Sequence, residues 1–462
     1  MALEIAFNPT VASAIQSRTL QRIFRDALYP RLLYRMEAQP ELWPVNLGSN
    51  QTFTRTGLIA PVTEPLSAGQ DPTPQTYNVE QWEATAEQYG NAIDTHMPTS
   101  YVTLASLYLR NMHQLGLNSG QSLNRIARNK MFNRYLGGNT VVATAGAGIG
   151  TASIPVDHIA GFTTVLVNGR PTAVSATNTL RIRIGPVGGA TETILVQAVT
   201  PTTAGDTVGP GTLTTSTNLT ATYAARIAVI ADTAVKSGTG ITSIVRNIYQ
   251  GGGETIDALA STDILDLSGL RTAVAQLRFD NVPPHEDGSY HCHLDPVAES
   301  QIFADNEFQR LNQSIPDYIH YRRFAVAYLL GMTFYRNSEA PTSGTVGSTE
   351  SFAGDMANAT SVPIHRTIIT GQGVLDEKYL DESKYISEAG VQGKIGEFAV
   401  VNNGIQVMTE RIRLILRAPL DRLQQLTGSA WSWSGDFPVP TDSVTTTSNS
   451  DYKRAVVLLH GE

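Results

Sequence analysis

The sequence predicts an α+β fold carrying an inserted small all-β domain, and three observations predict it. Hydrophobic residues make up 41% of the 462, with 39 glycines besides, which is a globular composition. Helical spacing of apolar residues over 98–136 and 266–279 gives way elsewhere to short runs of period two. Between the two helical stretches, residues 140–233 hold 21 threonines and few charges, the material of strands and turns. At about 150 residues per domain, the length allows about three domains.

Taken in order, residues 1–45 read as an N-terminal arm. Ile15, Leu20, Ile23, Phe24 and Leu28 have helical spacing, and Pro30 and Pro40 interrupt it. Such an arm has too little apolar surface to fold alone and must lie on something else. Residues 46–96 read as an extended hairpin. Thr52, Phe53, Thr54, Arg55 and Thr56 form one strand, Tyr77, Val79, Gln81 and Trp82 the other, and PVTEPLSAGQDPTP (61–74) the tip. A two-stranded hairpin is marginal in water, so this one needs a neighbour. Residues 97–138 read as one long helix or two in series. Pro98 suits the first turn, Thr99 and Ser100 the cap, and Tyr101, Leu104, Tyr108 and Leu115 one face. Gly116 and Gly120 are candidate breaks, and Gly137 and Gly138 a stop.

Residues 139–238 form the all-β insertion, with strands at 164–168, 180–184 and 192–197 and helix-forming sequence on both sides. The host then returns with a helix over 266–279 and a strand over 289–294. Asp295 and Pro296 open a further helix through Phe308, and 324–335 is strand material around Gly331. Further strands are expected at 366–370, 397–401, 406–417 and 452–460. There are no repeats or heptads, and no linker is long enough to separate independent domains.

Charged residues are only 16%, against about 25% in a typical soluble domain. Part of the surface is therefore expected to be covered by partners or to carry neutral polar groups. The formal charge is −8. The densest basic stretch, RIRLILR (411–417), alternates like a strand and reads as a solvated sheet edge, so direct nucleic-acid binding is not expected. Cys292 is the only cysteine, which excludes an intrachain disulfide and fits a reducing compartment. Glu4 and Pro9 argue against a signal peptide, and the longest apolar run, 324–332, is too short to span a bilayer.

No arrangement of residues amounts to an active site. His285, His291, Cys292 and His293, with His320 further on, lack the second ligand pair of a structural zinc site and any His-Glu-x-x-His. They read as a half-exposed strand with histidines outward and Cys292 in the core. Gly146, Gly148 and Gly150 have the wrong spacing for a dinucleotide loop. Gly393 and Lys394 lack the following Ser or Thr of a phosphate loop. Asp376, Glu377, Asp381 and Glu382 read as a solvated charge run, and Trp431 and Trp433 as strand packing. No enzyme activity, cofactor or metal is expected.

The order of elements, with LSGLRTAVAQL (267–277), VPP (282–284), GSYHCHLDP (288–296), DNEF (305–308) and LGMTFY (330–335) before Pro341, resembles the major capsid proteins of tailed bacteriophages (Caudoviricetes) with the Hong Kong 97-type fold. Within them it is most similar to the podovirus N4 major capsid protein family. The likeness covers roughly 1–138 and 253–462. It implies an N-arm (1–45), an extended loop over an adjacent subunit (46–96) and the spine helix of a peripheral domain (97–138). It further implies peripheral residues 239–265, an axial domain (266–395) and peripheral C-terminal strands (396–462). The insertion (139–238) would be a surface module, for which an immunoglobulin-like form is one the family uses.

The resemblance implies subunit-interface residues Phe53, Arg55, Leu58, Val62, Leu66, Tyr77 and Trp82 in the loop, and Phe24 and Leu28 in the arm. It implies assembly from pentamers and hexamers into an icosahedral virion head enclosing double-stranded DNA, built in the host cytoplasm. Partners would be further copies, neighbouring capsomers, a portal and a decoration protein, with DNA met only by non-specific proximity and no membrane. The hairpin begins near residue 46, which leaves no room for a fused scaffold, so a separate scaffolding protein and no N-terminal cleavage are expected. The competing readings are an encapsulin-like shell protein and a modular glycan-binding protein gripping through 140–235.

Overall fold

The computed structural model describes residues 18–28, 33–44, 48–56, 59, 61–66, 69, 71–77, 79–102, 107–136, 138–143, 145–167, 170–186, 191–205, 207, 209–231, 247–252, 256–313, 328–337, 339, 362–382, 393–395, 398–401, 404–417, 422–423, 425–440 and 454–462. In chain order the elements begin with α1 (Thr19–Leu28), β1 (Ala38–Trp43), β2 (Asn50–Thr56), β3 (Val79–Thr85), β4 (Glu87–His96), α2 (Met97–Val102) and α3 (Leu107–Tyr135). The inserted stretch holds β5 (Asn139–Val141), β6 (Ser153–Val156), β7 (Thr164–Val167), β8 (Arg170–Ala173), β9 (Leu180–Ile184), β10 (Glu192–Pro201), β11 (Gly211–Thr215) and β12 (Ala228–Ala231). Next come β13 (Asn247–Tyr249), α4 (Leu267–Phe279), β14 (Tyr290–Leu294), α5 (Pro296–Ala304), α6 (Asn306–Gln313), β15 (Tyr328–Leu329), β16 (Met332–Arg336) and β17 (Ile364–Thr370). The chain finishes with β18 (Leu375–Leu380), β19 (Gly393–Ile395), β20 (Phe398–Val401), β21 (Gly404–Thr409), β22 (Ile412–Arg417), β23 (Leu426–Asp436) and β24 (Ala455–Gly461). These fall into two units: 1–51, 83–128 and 375–438 in one, and 52–82, 129–374 and 439–462 in the other.

The first unit is an eight-stranded sheet, β1-β18-β23-β22-β21-β20-β19, with β4 paired along β23 from His96 opposite Leu426 to Glu87 opposite Gly435. The second half of the expected hairpin therefore belongs to this sheet. The expected strand over 406–417 is two strands, joined by a tight turn in which Glu410 and Arg411 both have positive φ (49° and 65°). No glycine marks that turn. It is held instead by Arg35, whose guanidinium donates to the Glu410 carbonyl (3.1 Å) and to Glu377 (3.0 Å). β22 lies between β21 and β23 with Ile412, Leu414 and Leu416 buried, so RIRLILR is interior sheet and not a solvated edge. Pro40 sits in β1, an edge strand, where its missing N–H costs no ladder bond.

α1 and α3 pack in this unit. At Gly116 an added Cβ would stand 2.5 Å from the Phe24 carbonyl oxygen, so the glycine does not break the helix but lets the arm approach it. α1 thus lies on its own chain: Phe24 and Leu28 are fully buried within the protomer. That corrects their expected place at a subunit interface, because their apolar surface is already covered. The acidic run is also corrected. β18 buries Glu377 and Lys378, with Glu377 between Arg35 and Arg411 and Lys378 against Glu41; Glu382, just past the strand, is also buried and is held by Arg413 at 2.7 Å.

The second unit contains a mixed six-stranded sheet, β13-β24-β17-β14-β16-β15, covered by α4 and α5 over a core that includes Leu270, Leu277, Cys292, Ile302 and Phe308. Asp266 and Asp295 accept from Gly269 and Ala298 N–H as N-caps, and Asp305 ends α5, splitting the helix expected through Phe308. β24 joins this sheet and β18 the other, so the sheets divide the chain near 374 and 439 and not at 395.

The insertion is all-β over its described residues, in the order β5-β12-β9-β10-β11-β6. Its two end strands meet: Ala143 N–H donates to Pro155 (2.8 Å), Asp157 N–H to Val141 (3.2 Å), and Val142 bridges Val156. The sheet therefore closes into a six-stranded antiparallel barrel, not the two-sheet sandwich of an immunoglobulin domain. Ile154, Leu180, Ile182, Ile184, Val196 and Leu213 fill it.

Candidate assembly surface

Five-residue alternation and a paired aromatic make the hairpin stem. The Phe53 and Trp82 rings stack across β2 and β3 with centroids 5.8 Å apart, and Gln81 Nε2 donates to Thr54 Oγ1 at 3.3 Å. At the base, Ala86 N–H donates to the Ser49 carbonyl at 2.8 Å. Prolines at 61, 65, 72 and 74 deny the tip further ladder bonds.

Every described residue from 59 to 77 is exposed. Among them Ile59, Val62, Leu66 and Tyr77 are large apolar side chains more than half exposed, and Val79 follows on β3. A concentration of bare apolar groups on one ribbon is what a contact surface looks like before its partner covers it. The segment 59–77 carries Glu64 and Asp71 and no Lys or Arg, so an acceptor would be apolar with neutral or basic edges. Of the sequence-predicted contact residues, Val62, Leu66 and Tyr77 stand bare, while Phe53 and Trp82 are half-buried on each other. Leu58 and the side chain of Arg55 lie outside the described residues. Ile59 and Val79 were not among those predicted: Val79 reads only as part of the strand, and Ile59 lies where the sequence shows turn and not period.

The described histidines of the cluster pair with one another and with neighbouring side chains. His285 and His291 stack face to face with centroids 3.9 Å apart and 8° between planes. His291 Nε2 lies 3.1 Å from Asp287, a carboxylate that Ser289 and His291 hold down at about 2 against the upward push of burial. His293 is buried and stacks on Tyr335, which corrects its expected outward placement. Burial drives the Cys292 thiol pKa up, leaving it protonated and unsuited to nucleophilic or ligand chemistry. His320 lies outside the described residues.

No family model matches the chain, and no curated protein does. Among solved structures, it is similar to the cyanophage Pam1 capsid asymmetric unit, with a TM-score of 0.50, 9% identity, and 95% of this chain and 92% of that chain covered. It is also similar to the capsid of Ralstonia phage GP4, with a TM-score of 0.46, 11% identity, and 92% and 87% covered. The likeness to the Pam1 chain shows the fold: α+β, of the Hong Kong 97 type that phage capsid subunits have.

Proposed function

We propose that this chain is a major capsid protein, which self-assembles as pentamers and hexamers into the icosahedral head shell of a tailed bacteriophage around double-stranded DNA. One observation carries the reading: a phage-capsid fold presents a hairpin whose apolar side chains, Val62, Leu66 and Tyr77, are bare in the single chain. A ribbon of that kind is marginal alone and gains its stabilisation by lying on a neighbouring subunit. In this reading Ile59 to Val79 is the clasp, the sheets and spine helix are the wall, and the barrel is a surface module. The protein is a virion component without catalytic activity, assembled in the host cytoplasm with a separate scaffolding protein and a portal.

Negative-stain electron microscopy with sedimentation tests this, using the chain alone and with a candidate scaffold. Closed shells, or rings and sheets of capsomer size, are expected. A monomer under every condition, scaffold included, would overturn it.

A further inference from the structure

The charge of the chain is unevenly placed. α1 and α3 together carry seven basic residues (Arg22, Arg25, Arg110, Arg125, Arg128, Lys130 and Arg134) and a single acid, Asp26. These two helices are thus at +6 in a chain at −8. Not one Asp or Glu occurs in the 29 residues of α3. The distribution is invisible to a search for basic runs, because the arginines are spread at helical spacing.

The fold sorts these groups. Arg128 is buried and Arg125 half-buried, while Arg22, Arg25 and Arg110 are exposed, with His113 beside the last. α1 buries Leu20, Phe24, Ala27 and Leu28, which turns Arg22 and Arg25 outward. Phe24 and Ala27 meet α3 at Gly116, and Tyr34 N–H donates to Asn124 Oδ1 at 2.7 Å, so the chain climbs α3 in the direction α3 runs. Arg110 and His113 are exposed in the first turns of α3, ahead of the Gly116 contact. The two adjoining helices thus present three exposed arginines, with Asp26 the one exposed acid among them.

That face has charge without apolar surface. Among the described residues of α1 and α3, no large hydrophobic side chain is exposed. A protein partner, the acidic hairpin of a second copy included, would need apolar surface there to bury Ile59, Val62 and Leu66. A phosphate backbone needs none; it needs cations that can displace its counterions.

We propose that the exposed face of α1 and the first turns of α3 is a sequence-independent contact surface for double-stranded DNA, with Arg22, Arg25 and Arg110 against phosphates. In a shell this face would look inward. Each subunit's contact is weak, and the many copies of an assembled wall would multiply it.

The test uses the soluble, unassembled full chain and a 30-base-pair duplex, so it does not depend on shell formation. Binding is measured by fluorescence anisotropy from 50 to 200 mM salt. Three phosphate contacts give a slope of log K against log salt near −2.7, at about 0.9 per contact. Arg22→Gln, Arg25→Gln and Arg110→Gln combined should abolish the salt-dependent binding, and each alone should lower the slope by about 0.9. Circular dichroism checks that the variants fold, and three separate single variants serve if the triple variant does not. Wild-type chain without affinity at 50 mM salt, or a triple variant that binds equally well, would overturn the proposal and leave the shell reading intact. So would a triple variant that keeps DNA binding but loses self-association, which would assign this face to the hairpin of another copy.

Discussion

Arg366 is buried in β17, and its Nη2 donates to Nε2 of His158 at 3.1 Å, tying the barrel to the sheet beneath it. His158 must accept there, so its Nε2 carries no proton. Burial first, and the Arg366 charge second, hold its pKa well below 6.5. Arg366 faces Asp157 and Tyr249 besides, and although burial lowers its own pKa to about 9, it stays protonated at neutral pH. Because the folded-state pKa of His158 lies below the unfolded value, its stabilisation is complete above about pH 6.5 and is lost as pH falls through that value. His158→Gln keeps an acceptor but cannot titrate. Thermal unfolding at pH 7.5 and at pH 5 should show the variant losing less stability than wild type on acidification; equal losses would refute this role. His365 has the opposite sign. It sits between Asp295 (2.7 Å) and Glu462 (3.2 Å), and these carboxylates raise its pKa against the downward push of burial. Its stabilisation is present at low pH and lost as pH rises through the raised value. Neither pair could be read from the chain, since the partners lie far apart in sequence. Residue type misled for the same reason at Glu377, which composition alone places in solvent and Arg35 and Arg411 place in the core.

Elements whose cause is local were legible. Asp266 and Asp295 announce their helices because the cap bond closes within three residues. The strand YHCHL announces itself by its bounds. Elements whose cause is remote were not: the Glu410–Arg411 turn carries no turn residue because Arg35 supplies the compensation. Gly116 is the converse. Its effect on helix propensity is unfavourable by about 1 kcal/mol against Ala, yet the approach of Phe24 requires it. Gly116→Ala should therefore destabilise the protein by about 1–3 kcal/mol, despite the better propensity. It should also speed tryptic cleavage at Arg22 and Arg25. Unchanged melting and cleavage would show that the arm is not seated at this glycine.

At the scale of the whole molecule, the order of a short helix, a hairpin, a long helix and a mixed body was legible because it is carried by composition and period. How strands close on one another was not, because ladder bonds leave no mark in a single sequence. The hairpin was partly legible: its stem by alternation, its tip by prolines, its role only through what it leaves uncovered. Removing residues 62–76 should leave the melting of the single chain nearly unchanged, since every described residue there is exposed, and should abolish or severely weaken assembly. Sedimentation of the deleted chain beside wild type measures both; a deletion that still forms stable heads would refute the clasp. The barrel has a consequence of another kind. Its first and last strands are hydrogen-bonded neighbours, Asn139 opposite Ile230, and Ala231 N–H donates to the carbonyl of Gly138 at 2.7 Å. The host chain leaves and returns through one doorway. To the rest of the chain, about ninety residues are therefore a graft on a single joint, open to exchange for another closed module so long as its replacement gives Arg366 an acceptor.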